Sequence, residues 1–157
     1  MTPVPPKLAQ LATQRARWQA LGITDYDIVV RETHAFSLVY LSTVIVRGGQ
    51  VQTQSASCSG PVGSSGSCPN AARYTVPWLF AEAEAYLDGT RTRQLGIRTT
   101  NATQADGTTV TYDATYGFPY SITWDLPDVY DEQVTIRIAS FTRPGPATPS
   151  PATPERP

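Results

Sequence analysis

Four acidic residues lie close together near the C-terminal end of the chain: Asp125, Asp128, Asp131 and Glu132. Carboxylate oxygens are the ligands that Ca²⁺ prefers, so this run is a weak candidate calcium site. Its spacing does not follow the EF-hand pattern, and Pro127 fits a plain turn. We therefore favour carboxylates on a solvated loop over a calcium site.

Asp113, Gly117 and Pro119 lie in the middle of the stretch TVTYDATYGFPYSITWD, residues 109–125. We interpret them as a structural turn. The Asp113 carboxylate can accept a backbone N–H, Gly117 can adopt a positive φ, and Pro119 restricts the chain where a strand begins. One alternative is a sugar-binding aromatic face. The other is a hydrolase or carbohydrate-active enzyme that uses Asp113 with the acidic run.

No residue pattern in the chain predicts catalysis. His34 is the only histidine, and neither a G-x-S-x-G element nor anything else in the sequence connects it to a nucleophile. Cys58 and Cys68 lack the C-x-x-C spacing of a redox pair, and a zinc site usually needs four ligands. We therefore expect a non-enzymatic protein without catalytic residues, a cofactor or a strong metal site.

The two cysteines enclose the flexible tract SGPVGSSGS. We predict a disulfide between Cys58 and Cys68, which would stabilise the fold by roughly 2.5–3 kcal/mol through loop entropy. Two free thiols, or half of a metal site, are the alternatives. A disulfide indicates an oxidising compartment, hence an exported protein. The opening MTPVPPKLAQ lacks the features of a signal peptide, so we expect either a cytosolic protein or a mature form with an added Met1.

Composition argues against two classes of partner. Charged residues make up 16% of the chain, the net charge is −1, and Lys7 is the only lysine. Nucleic-acid binding needs clustered positive charge, and the arginines here are scattered. No apolar run approaches the roughly 20 residues of a membrane-spanning helix. We expect neither nucleic acid as a partner nor a transmembrane segment.

The periodicity predicts an α+β fold with two helices and an antiparallel sheet of about six strands. The order is helix, three strands, helix, three to four strands, and the additional strand would lie just before Asp106. Residues 1–6 form an extended lead, 7–142 a single domain, and 143–157 a Pro/Thr/Ser-rich tail that cannot pack a core.

Each helix has an apolar stripe. In the first helix we expect one face to carry Leu8, Leu11, Trp18 and Leu21. In the second, Thr75 can cap a stripe that consists of Val76, Leu79, Phe80, Ala83 and Leu87. Leu79 and Phe80 should be buried against the sheet, and Glu82 and Glu84 should face solvent.

The clearest hairpin surrounds Gly48 and Gly49, because a two-residue Gly-Gly loop suits a primed turn. Its second strand, QVQTQSAS, alternates polar residues and should lie near solvent. This strand, or the final strand of the domain, is expected to form a free edge to which a partner strand could add.

The order of motifs resembles a known family. They are RARWQALGITDY, VIVRGGQV, TVPWLF, VTYDATYGFPYSITWD and DVYDEQVTIRIASF. Together they resemble the bacterial domain of unknown function 6174, whose members are typically small exported or lipoprotein-like domains, over about residues 15–141. Many members carry a cysteine-rich motif after the first strand, where this chain reads ETHAFSL, so no family disulfide is transferred. The resemblance implies the fold and export, and no activity.

We therefore expect an exported module, at the cell surface or in the periplasm, that binds a protein partner or self-assembles. The enzyme above is one alternative, and two carboxylates facing each other across a cleft within roughly 5–10 Å would favour it. Another is a subunit of an extracellular assembly whose neighbours order the Pro-rich tail. Carbohydrate is a weaker expectation as a ligand.

Overall fold

The computed structural model describes residues 4–35, 38–60, 68–91, 107–125 and 133–145. The elements are α1 (Pro6–Ala20), β1 (Tyr26–His34), β2 (Leu38–Arg47), β3 (Gln50–Ser59), α2 (Val76–Leu87), β4 (Thr108–Tyr112), β5 (Pro119–Trp124) and β6 (Val134–Thr142). The predicted α+β class, with two helices and six strands in that order, is confirmed. The additional strand before Asp106 would lie outside the described residues.

All six strands form one antiparallel sheet with the order β3-β2-β1-β6-β5-β4. β6 pairs with β1 on one side and with β5 on the other. The prediction that the final strand is a free edge is therefore wrong. It could not be read from the chain, because the β1–β6 contact joins the two ends of the domain. β3 is an edge, as expected, and β4 is the other.

The β2–β3 hairpin has the predicted two-residue loop. Gly48 and Gly49 have φ angles of 57° and 75°, the left-handed values that a primed turn requires, and Arg47 pairs with Gln50 across it. The loop is anchored to the segment between α1 and β1, because Gly49 N donates a hydrogen bond to Thr24 O over 2.9 Å.

The first helix buries less than its sequence predicts. Leu11 and Trp18 are buried and Leu8 packs partly against the core, but Leu21 is 47% exposed. The prediction for Leu21 is wrong: this residue caps the helix with its backbone still helical, and its exposure means that the core does not extend to the end of α1.

The second helix begins at the predicted cap, where Thr75 Oγ1 accepts a hydrogen bond from Trp78 N, and its whole predicted stripe is buried. Glu84 is exposed and accepts a hydrogen bond from Arg15 over 2.7 Å. The prediction that Glu82 faces solvent is wrong: this residue is only 7% exposed. Its position flanks the apolar stripe, and Arg91 supplies the opposite charge that makes its burial tolerable.

Both helices pack on the same face of the sheet. Trp18 of α1 and Tyr26 of β1 pack edge-to-face, with their ring centroids 5.9 Å apart. The ring centroids of Tyr86 in α2 and Trp124 in β5 are 6.1 Å apart. On the other side, which we call the open face, the strands present the residues that alternate with the buried ones. None of the described helices packs there. The described helices and the sheet thus form two layers.

Cys58 and Cys68 form the predicted disulfide, with their Cα atoms 5.7 Å apart. It ties the end of β3 to the segment that leads into α2.

Neither described helix has the length and apolar character needed to cross a membrane.

Candidate functional site

Glu32 is a carboxylate on the buried face of a central strand. In β1 every second residue is buried, and Ile28, Val30 and Glu32 follow one another on that face. Only 8% of the Glu32 side chain is exposed. Removing a carboxylate from water is costly unless partners replace its hydration. The position of Glu32 in β1 therefore places a charge in the core, and other parts of the fold have to provide its hydrogen-bond and ion-pair partners.

Three side chains supply those partners. His34 Nε2 lies 2.6 Å from Glu32 Oε1, and Arg73 Nη2 lies 3.0 Å from Oε2. The hydroxyl of Tyr74 donates a short hydrogen bond to the same Oε2. An ionised carboxylate can only accept, so His34 donates from Nε2. Both carboxylate oxygens of Glu32 are thus occupied.

A short 3₁₀ helix, Ala71–Arg73, delivers two of these partners. Asn70 begins it, with Oδ1 accepting from Ala72 N over 3.0 Å. The Arg73 guanidinium lies over the rings of Tyr74, at 4.7 Å, and Trp78, at 5.3 Å. It also donates to the Tyr74 hydroxyl over 2.7 Å. These contacts fix the plane of the guanidinium where it meets Glu32.

The network keeps Glu32 charged. Burial alone raises the pKa of its carboxyl, but the hydrogen bonds from His34 and Tyr74 and the charge of Arg73 outweigh burial and hold the pKa below its usual value. Burial, together with the hydrogen bond to Glu32, raises the pKa of the Tyr74 hydroxyl. Glu32 is therefore ionised and Tyr74 neutral at physiological pH.

A second buried carboxylate lies beside the first. Glu82 of α2 forms a two-pronged ion pair with Arg91, from Arg91 Nε to Oε1 over 2.7 Å and from Nη2 to Oε2. Such paired geometry is the strong form of an arginine–carboxylate contact. Burial, with the Glu82 charge second, raises the pKa of the nearby Tyr86 hydroxyl.

The two networks line one cavity of about 330 Å³. Its polar lining comes from Glu32, His34, Tyr40, Arg73, Glu82, Tyr86 and Arg91, and Pro69 and Val134 complete the described wall. This volume is at the lower end of the range for ligand-binding pockets. Clustered buried charges with shifted pKa values in a cavity are typical of functional sites.

A second cavity, of about 310 Å³, lies between the two helices and includes Arg15, Trp18, Phe80 and Glu84. Its ion pair, Arg15–Glu84, is partly exposed. Exposed pairs of this kind contribute little energy and impose little geometry. We therefore place the candidate site at the first cavity.

The residues singled out in the sequence as a turn lie elsewhere. Gly117 has a φ angle of 80°, and Asp113 Oδ1 accepts hydrogen bonds from Thr115 N over 2.9 Å and Tyr116 N over 2.7 Å. Pro119 begins β5. Arg17 of α1 donates to the carbonyls at 114 and 115, so the turn is docked on the helix. This geometry is that of a structural turn.

The acidic run is only partly described. Asp125 follows β5 and donates its backbone N–H to Gly107 O over 3.0 Å. Asp128, Asp131 and Glu132 lie outside the described residues. Within the described part of the chain, no three His, Cys, Asp or Glu side chains converge in a way that could hold a metal ion.

Sequence reasoning missed most of this site. His34 has no partner that the sequence names, but the alternation of Ile28, Val30 and Glu32 already places a carboxylate on an apolar face. Glu82 stands three residues after Leu79 and four before Tyr86, so it shares a helical face with two buried residues. An acidic residue at a position where the strand or helix repeat predicts a buried side chain is the signal that could have identified Glu32 and Glu82.

Comparison with known proteins identifies a family. A family model described as a family of unknown function, DUF6174, matches residues 10–143. No curated protein and no solved structure matches the chain.

Proposed function

The chain belongs to the family of unknown function DUF6174, and from that premise, which names no activity, we propose that it is a non-enzymatic module that binds a small organic anion in the cavity beside Glu32. The observation that carries the proposal is the balance of hydrogen-bonding groups in the cavity wall.

The acceptors of the wall are occupied and several of its donors are not. Glu32 takes hydrogen bonds on both oxygens, and so does Glu82. Arg73 uses Nη2 for its hydrogen bonds, which leaves Nη1 and Nε without a partner among the described residues. A guanidinium edge that is held in place and unoccupied suits a carboxylate or another planar anion.

The tyrosines extend this preference. Tyr40 and Tyr86 line the cavity, and their hydroxyls have no hydrogen-bond partner among the described residues. Burial raises the pKa of Tyr86, so this hydroxyl stays protonated and can donate. A ligand rich in acceptors would therefore meet Arg73 and Tyr86 together, at a cavity size that admits only a small molecule.

Two features support binding rather than catalysis. Glu32 is saturated by three donors and its pKa is lowered, so it is a poor proton acceptor at neutral pH. Among the described residues of the cavity wall there is no serine, threonine or cysteine to act as a nucleophile.

The Glu32–His34 pair favours a second candidate, a hydrolase in which His34 activates water. A carboxylate oriented on a histidine is a common arrangement for a general base. Here the same carboxylate also accepts hydrogen bonds from Arg73 and Tyr74, so His34 is only one of its three donors. Turnover of a chromogenic ester that His34→Gln abolishes would establish the enzyme and overturn the binding module.

The proposal is tested with succinate, citrate and benzoate as probes. We expect at least one of them to raise the melting temperature of the full chain and to bind in calorimetry. Arg73→Lys keeps the charge and removes the planar fork, so it should weaken binding about tenfold or more. Arg15→Lys makes the same change at an exposed ion pair and should leave binding unchanged.

Equal binding by the wild type and the Arg73→Lys variant would overturn the assignment of the site. The absence of binding by all three probes, with a folded wild-type chain, would overturn the ligand class. Circular dichroism of each variant separates loss of the ligand from loss of the fold.

We also propose that the protein is exported, and the disulfide between Cys58 and Cys68 supports this. Alkylation of protein from its native source without reductant, followed by mass measurement, should label neither cysteine. Two labelled thiols would contradict both the disulfide and the compartment.

A further inference from the structure

Two arginines lie directly opposite each other on the open face of the sheet. Arg31 of β1 pairs in register with Arg137 of β6, and both side chains are exposed. Opposite residues in antiparallel strands are about 4.5–5.5 Å apart at Cα. Like charges at this spacing destabilise a sheet, and the fold places this pair at its two central strands.

No described acid neutralises the pair. Asp27 is the one acidic side chain that the described strands present on this face, and it is bound to Arg47 over 2.6 Å. Arg137 donates to the Tyr120 hydroxyl over 3.3 Å, with its guanidinium 5.4 Å from the ring. Arg31 has no hydrogen bond or ion pair among the described residues. The open face thus presents two positive charges whose repulsion an anion would relieve.

A row of hydroxyl groups runs beside the arginines. The row crosses four neighbouring strands and consists of Thr33, Thr135, Thr123 and Thr109, each opposite the next. At a strand separation of about 4.8 Å, the row is about 14 Å long. It lies two residues along the strands from Arg31 and Arg137, on the same face.

We propose that the open face binds an acidic polysaccharide, with Arg31 and Arg137 on its carboxylate or sulfate groups and the threonine row on its hydroxyls. Charge complementarity selects an anion, and the hydroxyl row selects a ligand that is rich in hydroxyls. Leu41, 41% exposed, lies opposite Arg31 on β2 and offers an apolar contact to the C–H groups of a sugar ring. This surface is formed by other residues than those of the cavity and does not depend on the proposed anion there.

The test uses alginate and heparin as acidic probes, dextran as a neutral one and poly-glutamate as an acidic peptide. The Arg31→Gln/Arg137→Gln variant should lose about tenfold or more in affinity for an acidic polysaccharide, since each arginine supplies charge-assisted hydrogen bonds. Arg15→Gln removes a positive charge from α1, which packs on the other face of the sheet, and should change affinity less than about twofold. The melting temperature of the first variant should not fall, because it removes a repulsion.

A hydroxyl-specific variant separates polysaccharide from acidic peptide. Thr135→Val/Thr123→Val keeps the β-branched shape and should weaken the binding of alginate or heparin while leaving poly-glutamate binding unchanged. The inference is overturned if neither acidic polysaccharide binds, if dextran binds as well, or if both arginine variants lose affinity equally. Poly-glutamate binding as tight as polysaccharide binding would assign the face to an acidic peptide and overturn it as well.

Discussion

The turn at residues 113–118 and the cavity beside Glu32 both combine carboxylates with aromatic rings. They differ in where the carboxylates obtain their hydrogen-bond partners. Asp113 accepts hydrogen bonds from residues two and three positions further along the chain. Glu32 takes two of its partners from Arg73 and Tyr74, about forty positions away in sequence. One carboxylate is satisfied locally and the other by the assembled fold.

This difference indicates which of the two is structural. A carboxylate in a turn keeps contact with water and costs little, and its hydrogen bonds orient the chain. A buried carboxylate contributes little to the stability of a fold, because the cost of its desolvation offsets most of the favourable interaction energy with its partners. Buried acids with shifted pKa values are frequent at functional sites. This contrast supports our proposal that the cavity binds a ligand and that the turn has an architectural role.

The largest effect is expected at the turn, from Gly117→Val. Gly117 has a positive φ, and a Cβ there would lie 2.7 Å from Gln14 Oε1 and 3.1 Å from Cδ of Arg17, the residue that docks the turn on α1. Left-handed strain of roughly 1–2 kcal/mol and overpacking of roughly 1–3 kcal/mol should together remove about 3 kcal/mol of unfolding free energy in urea titrations.

Gly49→Val is the matched control for this substitution. Gly49 has a similar φ of 75°, and a Cβ there would meet nothing within 4 Å. It should show only the strain component, about 1–2 kcal/mol. Equal losses at the two glycines would mean that the turn is not held against α1, and the architectural interpretation would weaken.

In the cavity, Glu32→Gln should cost about 2 kcal/mol, because the amide cannot neutralise Arg73 and turns a donor toward the other donors. Glu84→Gln removes the exposed partner of Arg15 and should cost less than about 0.5 kcal/mol. Urea unfolding at neutral pH measures both. If Glu32→Gln were as mild as Glu84→Gln, the buried network would not be organised as the geometry indicates.

The cavity should also make the fold sensitive to alkali through Tyr86, whose pKa is raised above about 10 by burial and by Glu82. As the pH rises past 10, the unfolded chain releases this proton while the folded chain keeps it. Stability then falls, by up to about 1.4 kcal/mol per pH unit. Tyr86→Phe should lose about 1 kcal/mol less than the wild type between pH 9 and 11 in urea titrations. Parallel losses would contradict the pKa shift.

The smallest effect is expected from Asp113→Asn, under about 0.5 kcal/mol, because the amide oxygen still accepts the hydrogen bonds of the turn. Added calcium should not raise the melting temperature of the wild type or the variant. A calcium-dependent rise that the substitution removes would turn Asp113 from a structural residue into a ligand.

Much of the fold follows from local patterns. The hairpin at Gly48 and Gly49, the cap at Thr75 and the buried stripe with Phe80 depend on neighbours within a few residues, and the structure has them where the sequence predicts. Leu21 and Glu82 went against expectation, because the end of a helix and the width of its buried face are set by what packs on it.

By itself, the sequence determined the elements, their order and the local chemistry of the turn, because backbone propensities and hydrogen bonds between near neighbours act within one segment. Only the tertiary structure decided that β6 lies between β1 and β5. It also decided that Glu32 meets Arg73 and that Arg31 faces Arg137. These contacts join distant segments, and the partners that the assembled fold brings to Glu32 lower its pKa against the effect of burial.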